Sequence, residues 1–112
     1  MKYLKWPAVV GGLLVCLSGA SFAAGPDAEQ LEIGKALFQS GAVPACAICH
    51  TMEDAGSNGT IGPDLDELKP GFEQVKKMMM EGAGAMPSFA ATLDEKAMDA
   101  VAAYVVHATS GH

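Results

Sequence analysis

The chain has 112 residues, seven lysines, no arginine and thirteen acidic residues, for a formal charge of −6. That length allows one domain at most. The negative sign disfavours nucleic acid as a partner.

The first segment reads as an export signal, not as part of the domain. Lys2 and Lys5 make a positive start, residues 7–17 are apolar, and Ser21-Phe22-Ala23 places small residues at a cleavage site. Residues 1–23 are therefore predicted to be a secretory signal peptide, with cleavage after Ala23 or after Ala24. An uncleaved membrane anchor is the alternative, but the apolar run is short for a spanning helix. Cys16 would leave with the signal. Val15 before it argues against a lipoprotein site, where a small residue usually stands. The remaining domain, residues 24–112, keeps five lysines against thirteen acidic residues, a formal charge of −8. Such a surface keeps an exported protein soluble, and it would also suit a redox partner with a basic docking patch. Eighty-nine residues make a small hydrophobic core. A large apolar cofactor would help to fill it.

Asp27-Ala28-Glu29-Gln30 reads as a capping box that opens a helix over residues 28–39. Leu31, Gly34, Leu37 and Phe38 share one face, and Ser40-Gly41 can end it. A loop through Pro44 leads to Cys46-Ala47-Ile48-Cys49-His50. C-x-x-C-H is the attachment signature of a c-type haem. Two cysteines three apart share one helical turn, so both thiols reach one porphyrin edge. Cys46 and Cys49 would form thioether bonds to the vinyl groups. His50 would ligate the iron through one ring nitrogen and hydrogen-bond through the other.

Three other uses of the pair compete. A thioredoxin-like dithiol belongs beside a βαβ pattern, which is missing. A zinc site needs a fourth ligand, and adjacent Cys-His ligation is awkward. A plain disulfide leaves His50 without a role.

Residues 51–68 are polar and turn-rich, with Ile61 and Leu65 able to point inward. A short helix is expected over residues 72–81, with Phe72, Val75 and Met79 on one side. A loop of small residues, 82–88, carries Met86. Thr92-Leu93-Asp94-Glu95 reads as a second capping box before a final helix ending near Ala108, with Ala97, Val101, Tyr104, Val105 and Ala108 as its stripe. Nothing alternates with period two, so strands are not expected.

Met86 is the best candidate for the iron's sixth ligand. It lies far enough beyond His50 for the chain to cross the ring and return. Its glycine-and-alanine loop allows backbone to approach a flat cofactor, and Pro87 fixes the backbone immediately beyond it. Methionine favours ferrous iron and raises the potential. Core filling is the competing role for any methionine, and it is expected for Met52, Met78, Met79, Met80 and Met98. Met80 is the second choice as ligand. His107, near the end of the last helix, is expected in solvent, and His112 is terminal.

The chain resembles a small bacterial class I cytochrome c. Gly34-Lys35-Ala36-Leu37-Phe38, the C-x-x-C-H segment, Ile61-Gly62-Pro63-Asp64-Leu65, Met86-Pro87-Ser88-Phe89 and Tyr104 occur in that family's order. The resemblance implies an all-α fold of three to five helices and loops around one covalent haem c. It implies that the Pro63 carbonyl accepts a hydrogen bond from His50. It also implies that Gly34 and Phe38 cross the final helix near Tyr104. The loop before Met86 is short, as in bacterial members.

The function expected is one-electron transfer in the periplasm between redox partner proteins, as a monomer or as a subunit of a redox complex. No enzyme chemistry and no stable membrane insertion after signal cleavage are expected. Three alternatives use the same residues: a cytochrome subunit of a periplasmic dehydrogenase, a sensor or peroxidase-like protein with a labile sixth ligand, and a thiol oxidoreductase.

Overall fold

The computed structural model describes residues 26–111. The expected signal peptide, Cys16, Ala24 and His112 lie outside them. Among the described residues, five α-helices carry the fold: α1 Ala28–Ala36, α2 Cys46–Cys49, α3 Leu65–Leu68, α4 Phe72–Glu81 and α5 Glu95–Ala108. Between α2 and α3 lies a hairpin of two short strands, β1 Thr51–Met52 and β2 Ser57–Asn58. No helix among the described residues is long and apolar enough to cross a membrane.

Helix α1 starts where its cap predicts: the Asp27 side chain accepts from Gln30 N–H at 2.7 Å. It does not run as one regular helix to residue 39. From Leu37 to Gly41 the turn widens into a π-helix, and Ala42 N–H reaches back five residues to Leu37 O at 3.0 Å. Such widened turns are often found at functional sites, and this one carries buried Phe38.

The main packing is α1 against α5, with α4 on another side of α5. The α1/α5 crossing depends on a missing side chain. A Cβ on Gly34 would stand 2.1 Å from Ala100 O and 2.7 Å from Tyr104 Cβ. Beside it the Phe38 and Tyr104 rings meet edge to face, with centroids 6.0 Å apart. Helix α5 is buried on more than a stripe: Met98 and residues 100–105 are all buried. Its alanines let neighbouring helices approach on several sides. On the α4 side, Lys76 Nζ pairs with Glu95 and, at 2.7 Å, with Asp99. Both carboxylates hold the ammonium charged, so its pKa lies well above the ordinary lysine value.

Three further expectations need correction. Strands were not expected, yet β1 and β2 pair antiparallel, Thr51 with Asn58 and Met52 with Ser57. Two residues per strand are too few to show alternation, and left-handed Gly56 (φ 68°) lets the chain reverse. Residues 51–68 also contain α3, capped by Asp64, whose side chain accepts from Asp66 and Glu67 N–H. Finally, α5 is capped by Asp94, not Thr92. Asp94 accepts from Ala97 N–H at 2.8 Å, while the Thr92 hydroxyl turns to Phe89 O.

The crossing makes a direct prediction. Gly34→Ala should cost about 2–3 kcal/mol, because the added methyl meets backbone that cannot rotate away. Urea unfolding of the haem-loaded protein measures this, and a change below about 0.5 kcal/mol would contradict the tight crossing.

Candidate haem site

The helices enclose a cleft of about 320 Å³, within the ~300–1,000 Å³ range of ligand and cofactor sites. Helices α3, α4 and α5 supply Leu65, Val75, Met79, Val101 and Val105 to its lining, and the widened turn supplies Phe38. Among the described residues, no Asp, Glu or Lys lines it. The sequence-predicted residues Cys46, Cys49, His50, Pro63 and Met86 all line this one cleft.

Helix α2 presents the two cysteines, half-buried and not joined in a disulfide. Burial pushes the Cys46 thiol up to about 11. A protonated, sheltered thiol is a poor redox nucleophile. Among the described residues, no group of three or more His, Cys, Asp or Glu side chains is arranged to hold a metal ion.

His50 follows the end of α2, in extended backbone. Its Nδ1 lies 2.8 Å from Pro63 O. A carbonyl oxygen only accepts, so Nδ1 carries the proton and donates. That assigns the tautomer and leaves the Nε2 lone pair available to a metal. The loop carrying Pro63 can come this close because two glycines lie under it. A Cβ on Gly62 would fall 2.6 Å from His50 Cε1, and one on Gly59 would fall 2.4 Å from Ile48 O. Gly62 N–H donates to Cys49 O at 2.7 Å, and Thr51 Oγ1 donates to Gly59 O at 2.8 Å. The loop is thus tied to Cys49, His50 and Thr51.

A second brace acts from α5. The Tyr104 hydroxyl donates to Asp54 Oδ2 at 2.5 Å, in the turn between β1 and β2. Burial and the Asp54 carboxylate hold the phenol protonated by raising its pKa well above the ordinary tyrosine value. Lys35 Nζ lies 3.6 Å from the same carboxylate oxygen.

Met86 is half-buried and packs against the core. It exchanges backbone hydrogen bonds with Ala83, each 2.9 Å. Of the other described methionines, three are buried as expected and two depart. Met52, Met79 and Met98 are buried. Met80, expected in the core and second choice as ligand, is 46% exposed and does not line the cleft. Met78, expected as filler, is half-buried and lines the cleft instead. One step along α4 turns a side chain by about 100°, so helix phase separates the two. Ile61 also departs: it reaches the cleft wall but stays 68% exposed. His107 is exposed, as expected.

Neither α3 nor the load carried by Gly59 and Gly62 was expected from residue order alone. A signal for α3 was present, because Asp64-Leu65-Asp66-Glu67 has the cap-and-acid pattern of a helix start.

The residues present fit a haem. The cleft is apolar, closed by small residues where backbone comes near, and carries one imidazole with a free lone pair. These features place the protein among the small, mostly helical cytochromes. Comparison with known proteins agrees. The family described as cytochrome c oxidase, cbb3-type, subunit III matches residues 29–105. Cytochrome c6 of Tetradesmus obliquus is 35% identical over 91 residues, covering 72% of this chain and 93% of the relative. Cytochrome c-551 of Halorhodospira halochloris is 30% identical over 74 residues, covering 65% of this chain and 94% of the relative. The crystal structure of the c-type cytochrome SorU from Sinorhizobium meliloti superposes with a TM-score of 0.71 at 38% identity, covering 74% of this chain and 94% of that one. The chain belongs to the cytochrome c family and has the small class I fold. It is a haem c electron-transfer protein, with one covalently bound haem, and it serves redox partners.

The loop over His50 is testable. Gly62→Ala should destabilise the protein by about 2 kcal/mol, because the new methyl overlaps the imidazole. It should also shift the His50 ring-proton resonances. Unchanged resonances and stability would contradict the contact.

Proposed function

We propose that this protein is a periplasmic one-electron carrier whose haem c is anchored by Cys46 and Cys49 and ligated by His50 and Met86. The observation that carries the reading is the 2.8 Å bond from His50 Nδ1 to Pro63 O. It pre-orients the imidazole and raises its basicity, the usual role of an outer partner to a metal-bound histidine. When bound, haem c supplies a reversible ferric–ferrous couple.

The protein's own residues do the rest. Cys46 and Cys49 fix the porphyrin edge. His50, its ring held by Pro63, would ligate the iron through Nε2. Met86 offers a soft thioether that favours the ferrous state. The uncharged lining disfavours the extra positive charge of ferric iron, and so acts in the same direction. No proton or substrate bond need change during turnover, so little beyond the iron has to reorganise.

The signal peptide of residues 1–23 supports a periplasmic location for residues 24–112. The exposed rim of the cleft includes Pro44, Ile61, Pro63, Leu68 and Pro87. Five lysines against thirteen acidic residues occupy the rest of the domain. A partner with an apolar centre and a basic patch around it would complement that arrangement. Membership of a larger redox complex is a second reading, favoured by the oxidase-subunit description of the matching family. Stoichiometric co-purification with a partner distinguishes it from a free carrier.

Two variants test the assignments. Met86→Ala should open the sixth position, lower the midpoint potential and let carbon monoxide bind the reduced protein. An unchanged methionine–iron charge-transfer band in that variant would contradict ligation by Met86. Changing Cys46→Ala and Cys49→Ala together should leave no covalent haem. Haem that stays with the double variant through acid extraction would refute the thioether anchor.

A further inference from the structure

Helix α4 ends at Glu81, one residue before the loop that carries Met86. The last four carbonyls of any helix lack partners within it. Here three of them are satisfied from outside the regular helix. Met78 O accepts from Gly82 N–H at 2.8 Å, an ordinary cap. Met79 O accepts from Phe89 N–H at 2.6 Å. Met80 O accepts from the Ser88 hydroxyl at 2.7 Å. The second and third donors come from the far side of the Met86 loop. The helix end and the loop end are therefore stapled together, with Met86 between them.

The loop itself leaves no slack. Gly82 has a positive φ of 74°, and a Cβ there would fall 2.8 Å from Met86 O and 2.9 Å from Ser88 N. Phe89 is anchored twice, by its backbone bond and by a side chain that is 3% exposed. Ser88 is the weaker anchor. Its side chain is exposed, and its hydroxyl also accepts from Ala90 N–H at 3.1 Å. Among these loop-closing bonds, only the Ser88 bond to Met80 O is made by a side chain, so it can be removed without touching the backbone.

We propose that Ser88 is a positioning residue for the sixth ligand: its hydroxyl clips the Met86 loop to the end of α4 and sets how readily Met86 leaves the iron. The proposal rests on the reading of Met86 as ligand. For Met86 to swing away, residues 83–88 must move against the helix end. Breaking the clip leaves Met80 O without a protein partner, or with water in its place. Ser88 touches neither iron nor substrate, and its effect passes through Met86.

The test uses the complete ferric, haem-loaded protein, with imidazole as the incoming ligand followed by its visible spectrum. At saturating imidazole the binding rate equals the rate at which Met86 dissociates. Ser88→Ala removes both hydroxyl bonds, to Met80 O and from Ala90 N–H, and should raise that limiting rate about fivefold, in line with the loss of the clip to Met80 O. Ser88→Thr keeps the hydroxyl and should stay within about twofold of the wild type. A purely structural role would lower the melting temperature of Ser88→Ala and leave the limiting rate unchanged; that result overturns the proposal while the Met86 assignment stands. A wild type with no methionine band and no saturation with imidazole overturns the Met86 assignment and the proposal together.

Discussion

The hydrogen bond between His50 Nδ1 and the Pro63 carbonyl is the constraint around which the site is built. It decides which ring nitrogen keeps its proton and which one is free. It also dictates the loop's path, because Pro63 reaches the ring only if the chain before it passes close over the C-x-x-C-H turn. Gly59 and Gly62 stand at the two places where a side chain would block that path. The short hairpin then returns the chain to the starting point of the loop, and Tyr104 on α5 holds the hairpin's turn through Asp54. A local demand for one imidazole orientation is thereby tied to the main helix packing.

That packing rests on small residues as much as on large ones. Gly34 permits the α1/α5 crossing, and alanines at 100, 102 and 103 permit burial of most of the α5 surface. Phe38 and Tyr104 fill the space beside the crossing, while Phe38 also faces the cleft. Helix α4 joins α5 through the Lys76 ion pairs on its outer side. On its inner side it offers Val75, Met78 and Met79 to the cofactor space. In so small a domain one set of side chains serves both as hydrophobic core and as cofactor wall, and the haem is expected to complete the core.

Much of this was legible from residue order, for physical reasons. The C-x-x-C-H spacing is a one-turn device and needs no tertiary context. Asp27 and the apolar periodicity of α4 are local signals: α1 starts where its cap predicts, though it widens after Ala36, and α4 forms over the expected residues. Met86 could be singled out because it stands in a loop of small residues with no helical stripe to explain it. What was not legible is non-local or depends on phase. Asp54 and Tyr104 meet across fifty positions. The choice of Met78 over Met80 at the cleft wall depends on helix rotation, which periodicity in a run of three methionines does not resolve. The cap of α5 moved from Thr92 to Asp94 because both are good cap residues and Thr92 is engaged with Phe89. The β1/β2 hairpin is too short to leave a pattern.

The central claim is that the Cys46–His50 segment covalently holds one haem whose iron His50 ligates. The most direct measurement is a denaturing mass spectrum of the protein made with haem-maturation machinery, followed by proteolysis. One haem should remain on the peptide that contains Cys46, Cys49 and His50, and the visible spectrum of the intact protein should be that of a low-spin c-type cytochrome. An unmodified peptide with two titratable thiols, from protein that has passed through that machinery, would contradict it.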